Sequence, residues 1–532
     1  MQALSAMRKA RRRKRIEEVD WLDAMYRVYV TAIVGIVVVL FISSFVGDNE
    51  LTASELADFR EHGPAAIGLL AALAIAGGLR SGARGGPLAL EPAEVSHVLL
   101  APVDRASALR SPVLKQLRFG IFVGAVVGAI AGQLAVRRMP GAPLAWVASG
   151  GASGALIALL FIATALCAAG WQLHQAWATV VGAGFITWAA LDLAEVVPAP
   201  TTTVGSLALW PLRVQPDDLL AVVVAVGLLA IGVRAIGGIS VEAAERRTGL
   251  VGQLRFAVTV QDLRTVIVLR RQLAQDRPRM RPWIQLRRVG RRLPVWRRDW
   301  LGIFRFPAAR LARLALLGVA AGLCVRATWA GTTPLFVVAA LALFVAAIDA
   351  FEPLAQQVDQ ADLSDALPVS TGSLLERHLP SGLIVMVLVT LIAGMAGAVV
   401  QPSSTAFAIA AVMVMPAAFA AAAGGVASIV MGAPTPAPEG DQMMPPEVAG
   451  MRIMLRAAWP VLLTLLGVAP ILLARLANEE GGPPVAVAAA CGVVALIAGA
   501  LTAVWVRRRE DLHLWWKNLL EQSQAQTRGS AA

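Results

Sequence analysis

The chain has 532 residues, 57% of them hydrophobic and only 15% charged, with a mean hydropathy of +0.67 and a formal net charge of +12. A soluble domain of this length needs far more charge to cover its surface, so the composition excludes one. The cations are nearly all arginine, with lysine only at Lys9, Lys14, Lys115 and Lys517, and their distribution follows membrane topology rather than a nucleic-acid footprint.

The apolar residues fall in runs, each close to the roughly 20 residues that carry a helix across a hydrocarbon core. In lipid the backbone must satisfy its own hydrogen bonds, so such runs are helices, and they lack the alternation of barrel strands. In chain order the spans are expected at 27–47, 64–80, 119–136, 143–170, 177–197, 217–236, 311–329, 333–350, 381–400, 405–431, 457–476 and 485–506. The fold class expected is therefore an all-α integral membrane protein with about twelve transmembrane helices. Cys167, Cys324 and Cys491 lie inside these runs and read as packing residues, with no disulfide framework and no metal-ligand spacing. No cleavable signal peptide is expected, because the basic N-terminal block stands well ahead of the first run and no small-residue cleavage site follows it.

Charge gives an orientation. With Arg8 to Arg15 on the inner side, only Arg60, Arg137, Arg138, Arg213, Arg326 and Arg475 of the 47 cations fall outside. The outer loops are acidic instead: Asp48, Glu50, Glu55 and Asp58, then Asp217 and Asp218, then Glu479 and Glu480. Both termini are thus expected in the cytoplasm of a cell-membrane protein. Three inner segments are too long to be turns: 81–118, 237–310 and 351–380. The central one pairs Leu254, Val258, Leu263, Val266, Ile267 and Leu269 with Arg255, Arg264, Arg270 and Arg271, the pattern of an amphipathic helix on the inner face. The layout is a basic N-terminus and connecting helix over 1–26, a first six-span half over 27–236, a basic linker over 237–310, a second six-span half over 311–506 and a tail over 507–532.

The halves echo each other. Asp20-Trp21-Leu22 before the first span recurs as Asp299-Trp300-Leu301 before the seventh, each followed by an aromatic and an arginine, Tyr26-Arg27 and Phe304-Arg305. The run Ala93 to Leu99, with Glu94 and Ser96, resembles Ala361 to Leu367, with Asp362 and Ser364. Pro102-Val103 and Pro368-Val369 follow them. Matches in the same order at the same topological positions argue for two parallel six-helix repeats, related by rotation about the membrane normal.

On these residues the chain resembles the membrane permease of a type-2 ABC exporter with both halves fused. The resemblance implies interfacial connecting helices, here 16–27 and about 283–305, and coupling segments in the loop between the second and third spans of each half, here 91–112 and 359–376. Glu94, Ser96, Pro102, Asp362, Ser364 and Pro368 are then the candidate partner-coupling residues. The partner implied is a separate P-loop ATPase, since no Gly-Lys dipeptide occurs anywhere and the chain has no phosphate-cradling loop of its own. The resemblance also implies a substrate path between the halves.

Other readings compete. A secondary transporter of the major facilitator type also has six plus six spans, but the loop carrying Asp104-Arg105 is long and lacks the glycine and basic residues of that family. A membrane glycosyltransferase would use acidic outer residues such as Asp48, Glu50, Asp217 and Asp218. A membrane scaffold is the blandest reading. No nucleophile elbow or zinc motif appears, and His62, His97, His174, His378 and His513 read as structural or solvated, so neither an enzyme nor a bound cofactor is expected. Ionisable residues inside spans are costly and mark pathways; Asp192 and Glu195 qualify, with interfacial placement as the simpler account. Trp171, Trp177 and Trp188, which flank or lie within that span, read as interfacial anchors or packing residues. Finally, repeat alignment sets Arg84 opposite Glu352 and Arg80 near Asp349, an expected inner latch against which simple positive-inside placement competes.

Overall fold

The structure, a computed structural model, describes residues 21–46, 51–86, 88, 104–242, 245, 280–285, 294–360, 368–431, 458–509, 511 and 515. Ten helices among them are long and apolar enough to cross a membrane, or eleven if one bent pair counts as a span. The protein is an integral membrane protein of helices, with ten or eleven candidate spans where about twelve were expected. It divides into two compact units, Met1–Arg270 and Arg271–Ala532, each taken by itself below.

The first unit begins with α1 (Trp21–Ser44) and α2 (Ala53–Gly82). Helix α1 runs unbroken through residue 27, where the connecting helix was expected to lead into the first span. No proline or glycine stands there to stop it. The helix covers the first expected span but is not among the ten candidates. Thr52 and Glu55 start α2 with a reciprocal capping box: the Glu55 N–H donates to Thr52 Oγ1 at 3.3 Å, and the Thr52 N–H donates to Glu55 Oε2 at 2.9 Å. Next come α3 (Arg105–Ala135), α4 (Pro143–Gly170), α5 (Gln175–Leu193), the short α6 (Thr202–Ala208) and α7 (Leu219–Ala235). Asp104 caps α3, accepting from the N–H groups of Ala106 and Ser107 at 3.2 and 3.1 Å. The Ser107 hydroxyl and these amides hold its carboxyl below the usual carboxylate range.

Helix α4 is the hub of this unit, packing against α2, α3, α6 and α7. In its most apolar stretch 61% is buried, against 6% for α3. Helix α3 meets α4 along a glycine stripe, Gly120, Gly124, Gly128 and Gly132, one residue per turn. A Cβ added at Gly124 would stand 2.4 Å from the Gly154 carbonyl oxygen, and one at Gly128 only 2.1 Å from that of Gly150. Small residues at this spacing let helix backbones touch, which is how helices associate where lipid removes the hydrophobic drive. Gly128→Leu is accordingly expected to cost about 1–3 kcal/mol through overpacking against backbone that has no side chain to move. Gly151→Ala, whose Cβ meets nothing nearer than 3.4 Å, should be nearly neutral. Thermal unfolding of the two purified variants compares them, and equal midpoints would contradict the stripe's role.

The second unit starts with α8 (Pro294–Ile303), a separate helix. Phe306-Pro307 ends the approach and Pro307 caps α9 (Ala308–Trp329), since the residue before a proline is driven out of the helical region. The rings of Trp296 and Trp300 meet edge-on at 5.7 Å, and those of Trp300 and Phe304 lie tilted by 34° at 5.3 Å. Then come α10 (Leu335–Ala350) and α11 (Glu352–Asp359), bent by 60° at the buried Phe351. Pro353 in the first turn of α11 has no N–H to continue the α10 ladder, which accounts for the bend. Short α12 (Thr371–Glu376) leads into α13 (Leu379–Val400), followed by α14 (Ser404–Met431), α15 (Ala458–Glu479, broken ahead of Pro470) and α16 (Pro484–Arg507). Here α14 packs against α10, α13 and α16.

Candidate functional site

Each expected coupling segment contributes a helical stretch among the described residues. Residues 105–112 form the first turns of α3, and 371–376 form α12. Glu94, Ser96, Pro102, Asp362 and Ser364 lie outside the described residues, as do Asp48 and Glu50, and Pro368 stands just ahead of α12.

In the second unit a cluster of buried and half-buried polar residues lies where α8, α9, α10, α11 and α13 meet. Asp299 on α8 is 1% exposed and His378, at the start of α13, 2%. His378 Nδ1 lies 2.8 Å from Asp299 Oδ1 and 3.0 Å from Oδ2. Ser381 donates its hydroxyl to Asp299 Oδ2 at 2.9 Å and to the His378 carbonyl at 2.9 Å. His378 Nε2 is buried without a hydrogen-bond partner among the described residues. A buried carboxylate is costly unless its lone pairs are used, and here a histidine and a serine use them. The result pins α8 to the foot of α13. Arg298, the neighbour of Asp299, donates to Gln357 on α11 at 3.2 Å.

Alongside, Arg310 and Arg313 on α9 meet the acidic end of α10 and the start of α11. Arg310 Nη2 lies 3.1 Å from Glu352 Oε2 and donates to the Asp349 carbonyl at 2.9 Å, and its guanidinium stacks 4.1 Å over the Phe306 ring. Arg313 forms an ion pair with Asp349. The Glu352 carboxylate also accepts from Gln356 at 3.2 Å, and it sits at a helix N-terminus, where negative charge is favoured. Of the four residues in the expected latch, Asp349 and Glu352 thus have cationic partners on the adjacent helix of their own unit. In the first unit Arg80 donates to Thr179 Oγ1 on α5 at 3.3 Å, and Arg84 follows the end of α2.

The other end of the second unit holds a cavity of about 440 Å³ among α9, α13, α14 and α15. Its mouth carries Arg326, Trp329, Gln401, Ser403 and Asn478. No sequence signal marked it, because its walls are small and apolar residues drawn singly from several helices, and such residues carry no pattern of their own.

In the first unit the acidic pathway candidates are tied locally. Asp192 accepts from the Thr202 hydroxyl. Glu195 meets His62 Nε2 at 2.6 Å, and the same imidazole lies 3.0 Å from Asp58 through Nδ1. Asp218, 2% exposed, accepts from Trp210 Nε1 at 2.8 Å. These contacts join loops to helix ends. Cys167 is buried and donates to the Leu228 carbonyl at 3.5 Å. Among the described residues no group of three or more His, Cys, Asp or Glu is placed to hold a metal ion.

The helices and their apolar outer faces define a multi-pass integral membrane protein. Compared with protein families, curated proteins and solved structures, the chain matches none.

Proposed function

We propose that this chain is the membrane-spanning permease subunit of an ATP-driven exporter in the cell membrane, powered by a separate P-loop ATPase and performing no catalysis itself. The observation that carries the reading is the buried Asp299–His378–Ser381 cluster. A permease has to pass the motion of a partner-docking segment into its spans. The segment 359–376 ends two residues before His378, and His378 and Ser381 bind Asp299 on the amphipathic helix that precedes α9. Displacement of that segment therefore pulls on both the foot of α13 and α8.

Two further facts support the proposal. In each unit the fourth of the expected spans, α4 or α14, packs against the second, third and sixth, as two parallel six-helix repeats require. The chain also contains no Gly-Lys dipeptide, so the energy source is another polypeptide. Both termini are cytoplasmic in this proposal, on the charge asymmetry.

The test is charge reversal at the two coupling segments. Glu94→Arg with Asp362→Arg is expected to cut capture of the ATPase about tenfold, equivalent to ~1.4 kcal/mol, while the protein still reaches the membrane. Unchanged capture would contradict the assignment of these segments.

A further inference from the structure

The cavity in the second unit changes character along its length. Its floor is Ala321, Leu343, Val468 and Ile471, all buried, together with Thr390. Thr390 does not make the floor polar, because its hydroxyl lies 3.0–3.1 Å from the carbonyl oxygens of Met386, Val387 and Val414 and is used within the helices. At the mouth Gln401 and Asn478 are exposed and Thr405 is half-buried. Among the described residues these three side chains make no hydrogen bond. Each of the two carboxamides can both donate and accept, and so can the hydroxyl. The volume, about 440 Å³, lies within the roughly 300–1,000 Å³ that small-molecule sites occupy.

The charges at this end are spent. Arg475 on α15 donates to the Thr328 carbonyl at 3.2 Å and pairs with Glu479 at 2.7 Å, which ties α15 to the end of α9. Arg326, the arginine that lines the cavity, likewise has an interaction partner within the chain. An ionic head group at the mouth would have to displace one of these partners or stay unpaired, and an unpaired charge is costly away from water. The space itself is set by backbone contact. A Cβ at Gly322 would stand 2.1 Å from the Ala393 carbonyl oxygen, and one at Gly397 would stand 3.0 Å from that of Gly322. The α9–α13 distance is thus fixed by backbone touching backbone.

We infer that this cavity binds an uncharged amphiphile, with its hydroxyl or ester head at Gln401, Thr405 and Asn478 and its hydrocarbon chain against the floor. A plain hydrocarbon leaves the carboxamides unused, and a small hydrophilic molecule leaves the apolar floor empty. A charged head finds no free counter-charge at the mouth. A molecule with a neutral hydrogen-bonding head and one apolar chain satisfies both ends. A long-chain alcohol and a monoacylglycerol share this chemistry. The inference concerns binding alone and holds whether or not the chain is an exporter subunit.

The test uses the full chain in phosphatidylcholine nanodiscs with four photoreactive probes at equal mole fraction, and maps labels by mass spectrometry. Two are uncharged, a diazirine hexadecanol and a diazirine monopalmitoylglycerol. Two carry charge, a diazirine palmitic acid and a diazirine phosphatidylcholine. At least one uncharged probe is expected to label the α9, α13 and α14 walls about tenfold more strongly than either charged one, and its unlabelled counterpart to suppress it. Gln401→Ala with Asn478→Ala, two exposed positions, should weaken that labelling about tenfold, as the loss of two ordinary hydrogen bonds implies. Ala406→Phe, which places a ring in the cavity, should abolish it. Labelling by hexadecanol alone identifies a free alcohol, and labelling by the monoacylglycerol alone identifies a glyceride; both support the site. The inference is overturned if neither uncharged probe labels these walls, if palmitic acid or phosphatidylcholine labels them as well, or if labelling is unchanged in the rim double variant while that protein remains monodisperse.

Discussion

Arg310→Ala is expected to destabilise the second unit by about 3–5 kcal/mol, the usual cost of removing one partner from a buried ion pair. Glu352 is 5% exposed, and Arg310 is the cation at 3.1 Å from it. Removing the guanidinium takes away the cation that lies 3.1 Å from this buried carboxylate, while the Gln356 amide at 3.2 Å and the α11 N-terminus remain beside it. Asp349 is less affected, because Arg313 remains paired to it. The cost should therefore fall mostly on Glu352. The double variant Arg310→Ala with Glu352→Gln, which removes the charge that Arg310 pairs with, should regain much of the loss. Thermal midpoints in detergent measure both. An unchanged midpoint for the single variant, or no recovery in the double, would contradict this account of the pair.

Asp299→Ala is expected to cost about 3 kcal/mol, through loss of hydrogen bonds to a charged, buried acceptor and the stranding of His378. His378 Nε2 already lacks a partner among the described residues, so the variant leaves its whole ring unpaired in a buried site. The Ser381 hydroxyl keeps its bond to the His378 carbonyl. Asp299→Asn preserves the shape and part of the hydrogen bonding and should cost less. Under the proposed function a second effect follows: the chain should still capture its ATPase but lose ATP-dependent flux, since the link from α13 to α8 is cut. Full flux in a folded Asp299→Ala protein would remove the observation on which the proposal rests.

The membrane-spanning character was legible because hydropathy averaged over about 20 residues is insensitive to detail. Breaks inside helical stretches were harder. No proline or glycine stands near residue 27 and α1 is continuous there, whereas Pro307 gave α8 and α9 a visible boundary. Pro353 signalled the α10–α11 bend, but in a segment that hydropathy alone left as a long loop. The glycine stripe at 120, 124, 128 and 132 was readable as small residues one turn apart and could have identified the α3–α4 contact. Asp299 was marked through its repeated Asp-Trp-Leu motif, yet its partner His378 stands 79 residues away, and only folding joins them. The cavity had no local signature at all, as its polar rim is assembled from three helix ends and a loop.

The central claim is that a separate ATPase works with this chain, and affinity purification from native membranes in mild detergent tests it most directly. The account predicts that a P-loop ATPase co-purifies in stoichiometric amount, and that Glu94→Arg with Asp362→Arg reduces its yield. Recovery of the intact, folded chain with no P-loop protein, from membranes where it is expressed at native level, would contradict the account.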